Sequence, residues 1–241
     1  MNISLLQVPY FLAREDVGMG RGPKKFVEAG AARELEQLDH RVTVTIVRHQ
    51  ATEEDELNAV AALDANLATQ VRASVESGAF PLVLAGSCVS SLGTLAGLRE
   101  EKIGVIWFDA HGDFNTPEIS PSGFLDGMVL AIATGRCHHE LVQRIGLAPL
   151  PLPQMAHLGG RDFDPAEWEA MQHLAIQLVT AREIQTTGVE AGLAPALTNL
   201  RAHVSEIYLH VDLDVLNAEQ FPANEYSTPG GLALEELTKA L

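Results

Sequence analysis

Acidic and imidazole side chains, spaced two residues apart, stand at two places in the sequence. Asp109, His111 and Asp113 follow one apolar run, and Asp212 and Asp214 follow another. In an extended chain, side chains two residues apart point to the same side, so each set could converge on one point. Carboxylates held together repel one another unless cations neutralise them. Because oxygen ligands with one nitrogen suit Mn²⁺, or Mg²⁺, better than zinc or copper, the spacing predicts a divalent cation site. Two shared carboxylates would bridge a pair of ions. The alternative is that these aspartates only cap helices or lie in solvated loops.

The apolar runs that must position these groups are short and nearly continuous. Such runs are typical of strands buried on both faces, as in a parallel sheet covered by helices. Longer segments of helical periodicity alternate with them, which indicates repeated βαβ units. We therefore predict one α/β domain over residues 1–241, with ligands bound beyond the carboxyl ends of its strands. The predicted strands are residues 3–8, 42–47, 82–85, 103–108, 155–158, 175–179 and 207–211.

The composition limits the possible partners and compartments. The chain has 16 Lys and Arg against 32 Asp and Glu, a net charge of −16. That charge argues against a nucleic-acid groove and against a basic membrane-binding face. Two cysteines are too few for a disulfide framework, which favours a reducing compartment. With no signal peptide and no run of about 18 apolar residues, we expect a cytoplasmic protein.

Four motifs together resemble those of the ureohydrolases, the family of arginase, agmatinase and formiminoglutamase. Residues 18–23 resemble its early glycine-proline motif, and residues 109–113 and 210–216 resemble two of its metal motifs. Residues 228–232 resemble the turn that follows the last of these. The resemblance covers essentially the whole chain. It implies a three-layer αβα fold and a pair of Mn²⁺ ions that activates water for attack on a guanidinium carbon, with release of urea.

The resemblance also implies the metal ligands, with one departure. After the third strand the family carries Gly-Gly-Asp-His-Ser, whose His binds the first metal, whereas this chain has Ala-Gly-Ser-Cys-Val at residues 85–89. Cys88 thus stands in the place of a metal ligand, although a thiolate prefers softer metals than Mn²⁺. A small buried apolar role for Cys88 is the alternative. The implied ligands are Cys88, Asp109, Asp113 and Asp212 at the first metal and Asp109, His111, Asp212 and Asp214 at the second.

Further positions match those through which arginases bind an amino acid. Asn115 and Ser122 match contacts of the substrate α-carboxylate, and Asp164 matches the carboxylate that holds the α-ammonium. Amide and hydroxyl donors suit a carboxylate, although ordinary turn chemistry would also explain Asn115 and Ser122. These residues favour an amino-acid substrate over agmatine. Asp126 replaces a His thought to shuttle protons in arginases, and we expect Asp113 and Asp126 to be catalytic.

Cys88 also resembles the branch of the family that cleaves Nω-hydroxy-L-arginine to hydroxyurea and ornithine. An N-hydroxyguanidine is less basic than a guanidine, so a more weakly activating metal site could suffice. Two other interpretations stay open: an agmatinase-like hydrolase of another guanidino or formimino substrate, and a degenerate metal-binding homologue without activity. By analogy with relatives we expect a homo-oligomer. Relatives continue with a strand that carries a Glu for the guanidinium, so we expect the chain to lack this C-terminal strand.

Overall fold

The structure, a computed structural model, describes residues 1–49, 55–98, 102–174 and 176–241. Strands and helices alternate along these residues. The strands are β1 (Asn2–Val8), β2 (Tyr10–Phe11), β3 (Arg14–Glu15), β4 (Arg41–Ile46), β5 (Phe80–Ala85), β6 (Ile103–Phe108), β7 (Met155–Gly160), β8 (Gln177–Thr180) and β9 (Glu206–Val211). The α-helices are α1 (Gly22–Glu28), α2 (Ala31–Gln37), α3 (Glu56–Glu76), α4 (Ser90–Leu98), α5 (Val129–Ala133), α6 (His139–Ile145), α7 (Pro165–His173), α8 (Ala181–Thr187), α9 (Val189–Arg201) and α10 (Leu234–Ala240).

The seven predicted strands all have counterparts in the structure, as β1 and β4 to β9. Strand β5 begins at Phe80, two residues before its predicted start, because Pro81 interrupts the apolar pattern but not the pairing with β1. Strand β8 begins at Gln177. The first residue predicted for it, Ala175, lies outside the described residues.

The chain divides into two compact units, of which the first comprises Met1–Arg99 and His138–Pro149. Its three-stranded parallel sheet has the order β4-β1-β5. Helix α3 packs its apolar side on this sheet, where Leu63, Leu67 and Val71 join Leu6 and Val8 in one core cluster.

A close approach of two glycines shapes the end of β5. A Cβ atom on Gly86 would overlap the backbone of Gly20, which follows β3. Only glycine permits this contact, since it has no Cβ. The chain then turns through Cys88, which is half-buried, into α4. The glycine-rich segment 18–23 and the Cys88 turn therefore belong to one local structure of the first unit.

The second unit comprises Glu100–Cys137 and Leu150–Leu241. Its four-stranded parallel sheet has the order β8-β7-β6-β9. Helices α8, α9 and α10 cover one face, with Ile184, Leu193 and Leu237 among the buried residues that pack with Phe108 and Leu158. The predicted α/β class is confirmed by these parallel sheets and their helices.

Whether residues 1–241 fold as one domain stays a prediction.

Among the helices of the described residues, none has the length and apolar character needed to cross a bilayer.

Candidate metal centre

The order of the sheet in the second unit brings two predicted motifs to neighbouring strand ends. Strand β6 pairs with β9 in parallel, with Phe108 opposite Val211. Asp109 and Asp212 are the next residues on the two strands, and Asp212 N donates to the Phe108 carbonyl over 2.8 Å. Because β6 and β9 are adjacent, residues distant in sequence meet at the carboxyl edge of the sheet, where ligands bind in open α/β folds.

Asp109, His111 and Asp214 form a compact cluster at this edge. His111 Nδ1 lies 3.4 Å from Asp109 Oδ1 and 3.3 Å from Asp214 Oδ2. One potential ligand atom from each of the three lies within 4.8 Å of the others. Both carboxylates are buried, whereas the imidazole is 30% exposed. The cluster therefore offers two oxygens and one nitrogen to a single point that solvent can reach.

The local backbone differs from the extended geometry on which the prediction rested. Strand β6 ends at Phe108, and His111 N donates to Asp109 Oδ1 over 2.8 Å. Asp113 has a φ of 50°, in the left-handed region that non-glycine residues seldom adopt. A tight turn, rather than strand alternation, thus determines where the three side chains of residues 109–113 lie.

The charges of this cluster are strongly coupled. Burial disfavours the imidazolium of His111, but hydrogen bonds from it to Asp109 and Asp214 raise its pKa to about 11. Burial raises the pKa of Asp109, and the charge of Asp214 raises it further. Burial also acts against ionisation of Asp214, but hydrogen bonds from His111, Asn224 and Ala110 lower its pKa overall. In the absence of a metal the imidazole therefore carries the positive charge that the carboxylates require.

Asp113 supplies the observation that tests whether a cation fits. Its carboxyl group is buried, and no group of the described residues donates a hydrogen bond to its Oδ2 atom. Burial raises the pKa of Asp113 well above its usual value, and the charges of Asp109, Asp126, Asp212 and Glu167 raise it further. A buried carboxylate oxygen without a donor, among other carboxylates, is stabilised by a cation. The donor set fits a hard divalent ion such as Mn²⁺.

Asp212 and Asn224 hold Asp214 from two sides. Asp214 N donates to Asp212 Oδ1 over 2.8 Å, so Asp212 caps the short 3₁₀ turn Leu213–Val215. Asn224 Nδ2 donates to Asp214 Oδ2 over 3.1 Å. Ala110 N donates to the other oxygen, Oδ1, over 3.2 Å. The orientation of Asp214 is therefore fixed by backbone and side-chain donors from separate segments. Asn224 was not among the predicted residues, because its contact depends on the path of a loop.

The residues predicted to bind an amino acid also converge, in part. Asn115 Nδ2 donates to Asp164 Oδ2 over 2.9 Å. Ser122 is exposed, and its Oγ accepts a local hydrogen bond from Phe124 N over 3.2 Å. The structure thus brings Asn115 and Asp164 together. For Ser122 it gives the turn contact that was the alternative interpretation, and the predicted binding role stays a prediction.

Glu167 is a site residue that the prediction missed. Its carboxylate is buried and accepts from Phe114 N over 2.8 Å and from Asp164 N over 3.2 Å. Burial raises its pKa to about 7, although these two backbone hydrogen bonds act in the opposite direction. The sequence did carry a signal, because an Asp followed three residues later by a Glu is typical of a capping box at a helix start. Glu167 links the first turn of α7 to the segment after His111.

Asp126 and Cys88 are the remaining two predicted site residues. Asp126 is buried at the start of the 3₁₀ turn Asp126–Met128, and its charge raises the pKa of Asp113. Cys88 belongs to the first unit, so its place at the metal centre stays a prediction. His157 is buried, and its Nε2 lies 2.6 Å from the carbonyl oxygen of His111.

Comparison with known proteins shows to which family the chain belongs. The sequence profile of the arginase family matches residues 1–241. An arginase from Bacillus caldovelox is 33% identical over 247 aligned residues, which cover 97% of this chain and 83% of the relative. Among solved structures, an arginase from Bacillus cereus has a TM-score of 0.91 and 33% identity, covering 100% of this chain and 84% of the other. An Entamoeba histolytica arginase solved with L-ornithine has a TM-score of 0.89 and 26% identity, with 99% and 84% covered.

The chain belongs to the arginase family. The resemblance seen in its motifs is therefore confirmed, as is the predicted three-layer αβα class with parallel strands flanked by helices. Within this arginase-family chain, the cluster of Asp109, His111 and Asp214 lies in the two metal motifs among the four that carried the resemblance. Family membership supports a hydrolase that acts on amidines. The preference for hydroxyarginine is a separate question.

Proposed function

We propose that the chain is a manganese-dependent amidinohydrolase of an L-arginine-like amino acid, either arginine or Nω-hydroxy-L-arginine. The products are ornithine and either urea or hydroxyurea. The observation that carries the proposal is the convergence of Asp109, His111 and Asp214, whose ligand atoms lie within 4.8 Å of one another. Membership of the arginase family gives this cluster its chemical context.

The proposed ligands come from the two strand ends and from the turn after β5. Asp109, His111, Asp212 and Asp214 would hold one Mn²⁺, and Cys88, Asp109, Asp113 and Asp212 would hold the other. Bound there, the ions would supply a Lewis acid and a water of lowered pKa for attack on the guanidinium carbon. The protein's own contribution is to keep the carboxylates ionised and fixed, as the donors around Asp214 do.

The amino-acid end of the substrate is assigned to Asn115 and Asp164. The amide of Asn115 is suited to the α-carboxylate, and the carboxylate of Asp164 is suited to the α-ammonium. Their mutual hydrogen bond of 2.9 Å supports one common subsite for the two groups. The Entamoeba histolytica relative solved with L-ornithine supports a ligand that carries both groups. Ser122 is included as a second donor to the carboxylate.

Proton transfer is assigned to the carboxyl groups of Asp113 and Asp126. Hydrolysis forms a carbon–oxygen bond and breaks the bond between the guanidinium carbon and the side-chain nitrogen, which leaves as an amine and must gain a proton. Asp126 is buried close enough to Asp113 for its charge to raise the Asp113 pKa. A buried carboxyl group with a raised pKa can accept a proton and return it.

Cys88 is the basis for including the hydroxylated substrate. A thiolate in place of an imidazole alters the donor set of the first metal, because sulfur is softer than the ligands that Mn²⁺ prefers. A neutral N-hydroxyguanidine is easier to attack than a cationic guanidinium. We therefore propose a greater kcat/KM for Nω-hydroxy-L-arginine than for L-arginine.

A homo-oligomer, which we infer by analogy with relatives, stays a prediction.

Turnover assays with L-arginine, Nω-hydroxy-L-arginine and agmatine at saturating MnCl₂ test the proposal. We expect ornithine together with urea or hydroxyurea from the two amino acids, the faster reaction with the hydroxylated one, and much slower release of urea from agmatine. The Asp214→Asn variant, which keeps the shape of the side chain but loses its charge, serves as the inactive control.

Each contrary result has a distinct meaning. A preference for agmatine would favour the agmatinase-like alternative and contradict the subsite at Asn115 and Asp164. An equal or inverted preference for arginine would contradict only the hydroxyarginine assignment. Binding of Mn²⁺ without turnover of any of these substrates would favour the non-catalytic homologue.

A further inference from the structure

Arg161 makes an unusual set of hydrogen bonds at the end of β7. Its half-buried guanidinium donates to three successive main-chain carbonyls, those of Asp214, Val215 and Leu216, with nitrogen–oxygen distances of 2.7, 3.3 and 3.3 Å. It also donates to the carbonyls of Thr228 and Pro229, over 3.1 and 3.2 Å. All five acceptors are main-chain oxygens. One side chain thus joins the turn that bears Asp214 to residues 228–229, more than ten positions away.

The backbone of the same residue contacts the other metal motif. Arg161 N donates to the Ala110 carbonyl over 2.8 Å, and Ala110 N donates to Asp214 Oδ1 over 3.2 Å. Ala110 lies between Asp109 and His111, so Arg161 bonds to the segments that follow both β6 and β9. These contacts determine how far apart the two ligand-bearing turns lie.

Arginine suits this role better than lysine does. The guanidinium is planar and carries five N–H donors, whereas a lysine ammonium has three donors on one atom. Nη2 donates to the Asp214, Leu216 and Thr228 carbonyls, whereas Nη1 and Nε donate to those of Val215 and Pro229. A lysine could keep the positive charge, but with three donors on one nitrogen it would lose at least two of these five hydrogen bonds. Carbonyls on both segments would then lose donors, and the turn that bears Asp214 would be held less tightly relative to β6.

We propose that Arg161 is a positioning residue of the metal centre, which sets the separation between Asp109 and Asp214 through the main chain of both turns. The proposal rests on the proposed function, because it assumes that these carboxylates hold Mn²⁺. It assigns to Arg161 no contact with the substrate. Residues outside the ligand set that orient ligands typically change metal affinity by about 10- to 100-fold when replaced.

The test compares the parent protein with the Arg161→Lys variant. Mn²⁺ affinity is measured by titrating each metal-free protein with MnCl₂ and following the free ion by electron paramagnetic resonance. Thermal unfolding of both metal-free proteins is measured in parallel. The matched control is Arg182→Lys, the same change at an exposed arginine of α8. If the lysine variant does not fold, Arg161→Gln, whose amide keeps two donors, replaces it.

We expect Arg161→Lys to raise the Kd for Mn²⁺ by about 10- to 100-fold at temperatures where it is fully folded, with an unchanged Kd for the control. A lower Tm together with a Kd within twofold of the parent would show that Arg161 only stabilises the fold, and would overturn the inference. A parent that binds no Mn²⁺ would overturn the proposed function and this inference together. The Mn²⁺ titration of the parent therefore distinguishes failure of the proposed function from failure of the inference about Arg161.

Discussion

The side-chain amide of Asn115 donates a hydrogen bond to the carboxylate of Asp164, with 2.9 Å between Nδ2 and Oδ2. Asn115 follows the turn after β6, and Asp164 is the N-cap residue of helix α7. Two groups that suit opposite charges of an α-amino acid are thus in direct contact. Under the proposed function, the α-carbon of the bound amino acid would lie beside this pair.

The first prediction concerns Asn115→Ala. A lost hydrogen bond to a charged group costs about 1.5–3 kcal/mol, so we expect KM for the amino-acid substrate to rise by at least about tenfold. The change in kcat should be smaller, because Asn115 is assigned to the α-carboxylate of the substrate and not to its guanidinium group. Steady-state kinetics provide the measurement, with Asn66→Ala, at an exposed residue of α3, as the control. An equal loss with agmatine, which has no carboxylate, would contradict the assigned role.

The second prediction concerns removal of metal. Without cations, Asp113 and Asp109 are buried among like charges, so the metal-free protein should be the less stable form. An ion present at 100 times its Kd stabilises a protein by about 2.7 kcal/mol, which corresponds to a rise in Tm of about 5–10 °C for a chain of this size. Differential scanning fluorimetry after EDTA treatment, and again after MnCl₂ is added, measures this rise. Identical melting curves in the two conditions would speak against a metal centre.

The third prediction concerns Cys88→His. If Cys88 occupies a ligand position, an imidazole there should increase the Mn²⁺ content towards two ions per chain and should increase turnover of arginine relative to hydroxyarginine. Elemental analysis of purified protein gives the metal content. Cys137→Ala, at the other and buried cysteine, is the control. An unchanged metal content in Cys88→His would refute the placement of Cys88.

The fourth prediction concerns acid pH and His157. Burial lowers the pKa of His157 to about 4, although its hydrogen bond to the His111 carbonyl favours the charged form. The unfolded chain therefore binds a proton below pH 6.5 that the folded protein does not bind until about pH 4. The stability that neutral His157 contributes is complete above pH 6.5 and is lost as the pH falls. At pH 5 the loss is about 2 kcal/mol.

Urea unfolding of the metal-free protein at pH 7.5 and pH 5 measures this dependence. His157→Gln keeps a donor for the His111 carbonyl but does not titrate, so its stability should fall by less between the two values. Burial lowers the pKa of His210 to about 3. His210 is present in both proteins, so its contribution to the loss of stability is the same in both. Equal losses in parent and variant would show that His157 is not the titrating group.

The fifth prediction concerns the reactivity of Cys137. Burial raises the pKa of this thiol to about 11, with a further increase from the charge of Glu118. At pH 8 only about 0.1% is then thiolate, the form that reacts. Iodoacetamide should therefore leave Cys137 unmodified in the folded protein and modify it in urea. Peptide mass spectrometry distinguishes the two cysteines, and rapid labelling of Cys137 without urea would contradict the burial.

The sequence allowed the strands and the metal motifs to be predicted because both depend on local patterns. Apolar runs mark β6 and β9, and the residues after them are the ones that meet. The alternation of side chains in an extended chain did not predict the turn at residues 109–113, since Asp113 has a left-handed backbone. Arg161 and Asn224 were not predicted at all. Their contacts depend on how residues 213–231 fold back, which no spacing along the chain records.

The start of α7 has a consequence for engineering. Glu167 accepts a hydrogen bond from the first residue of the capping box, Asp164, and another from Phe114 beside the metal motif. Under the proposed function, in which Asp164 holds the α-ammonium of the substrate, substitutions chosen to strengthen the helix would also alter how the protein selects its ligand. We therefore expect directed evolution of thermostability at this one turn to change selectivity as well.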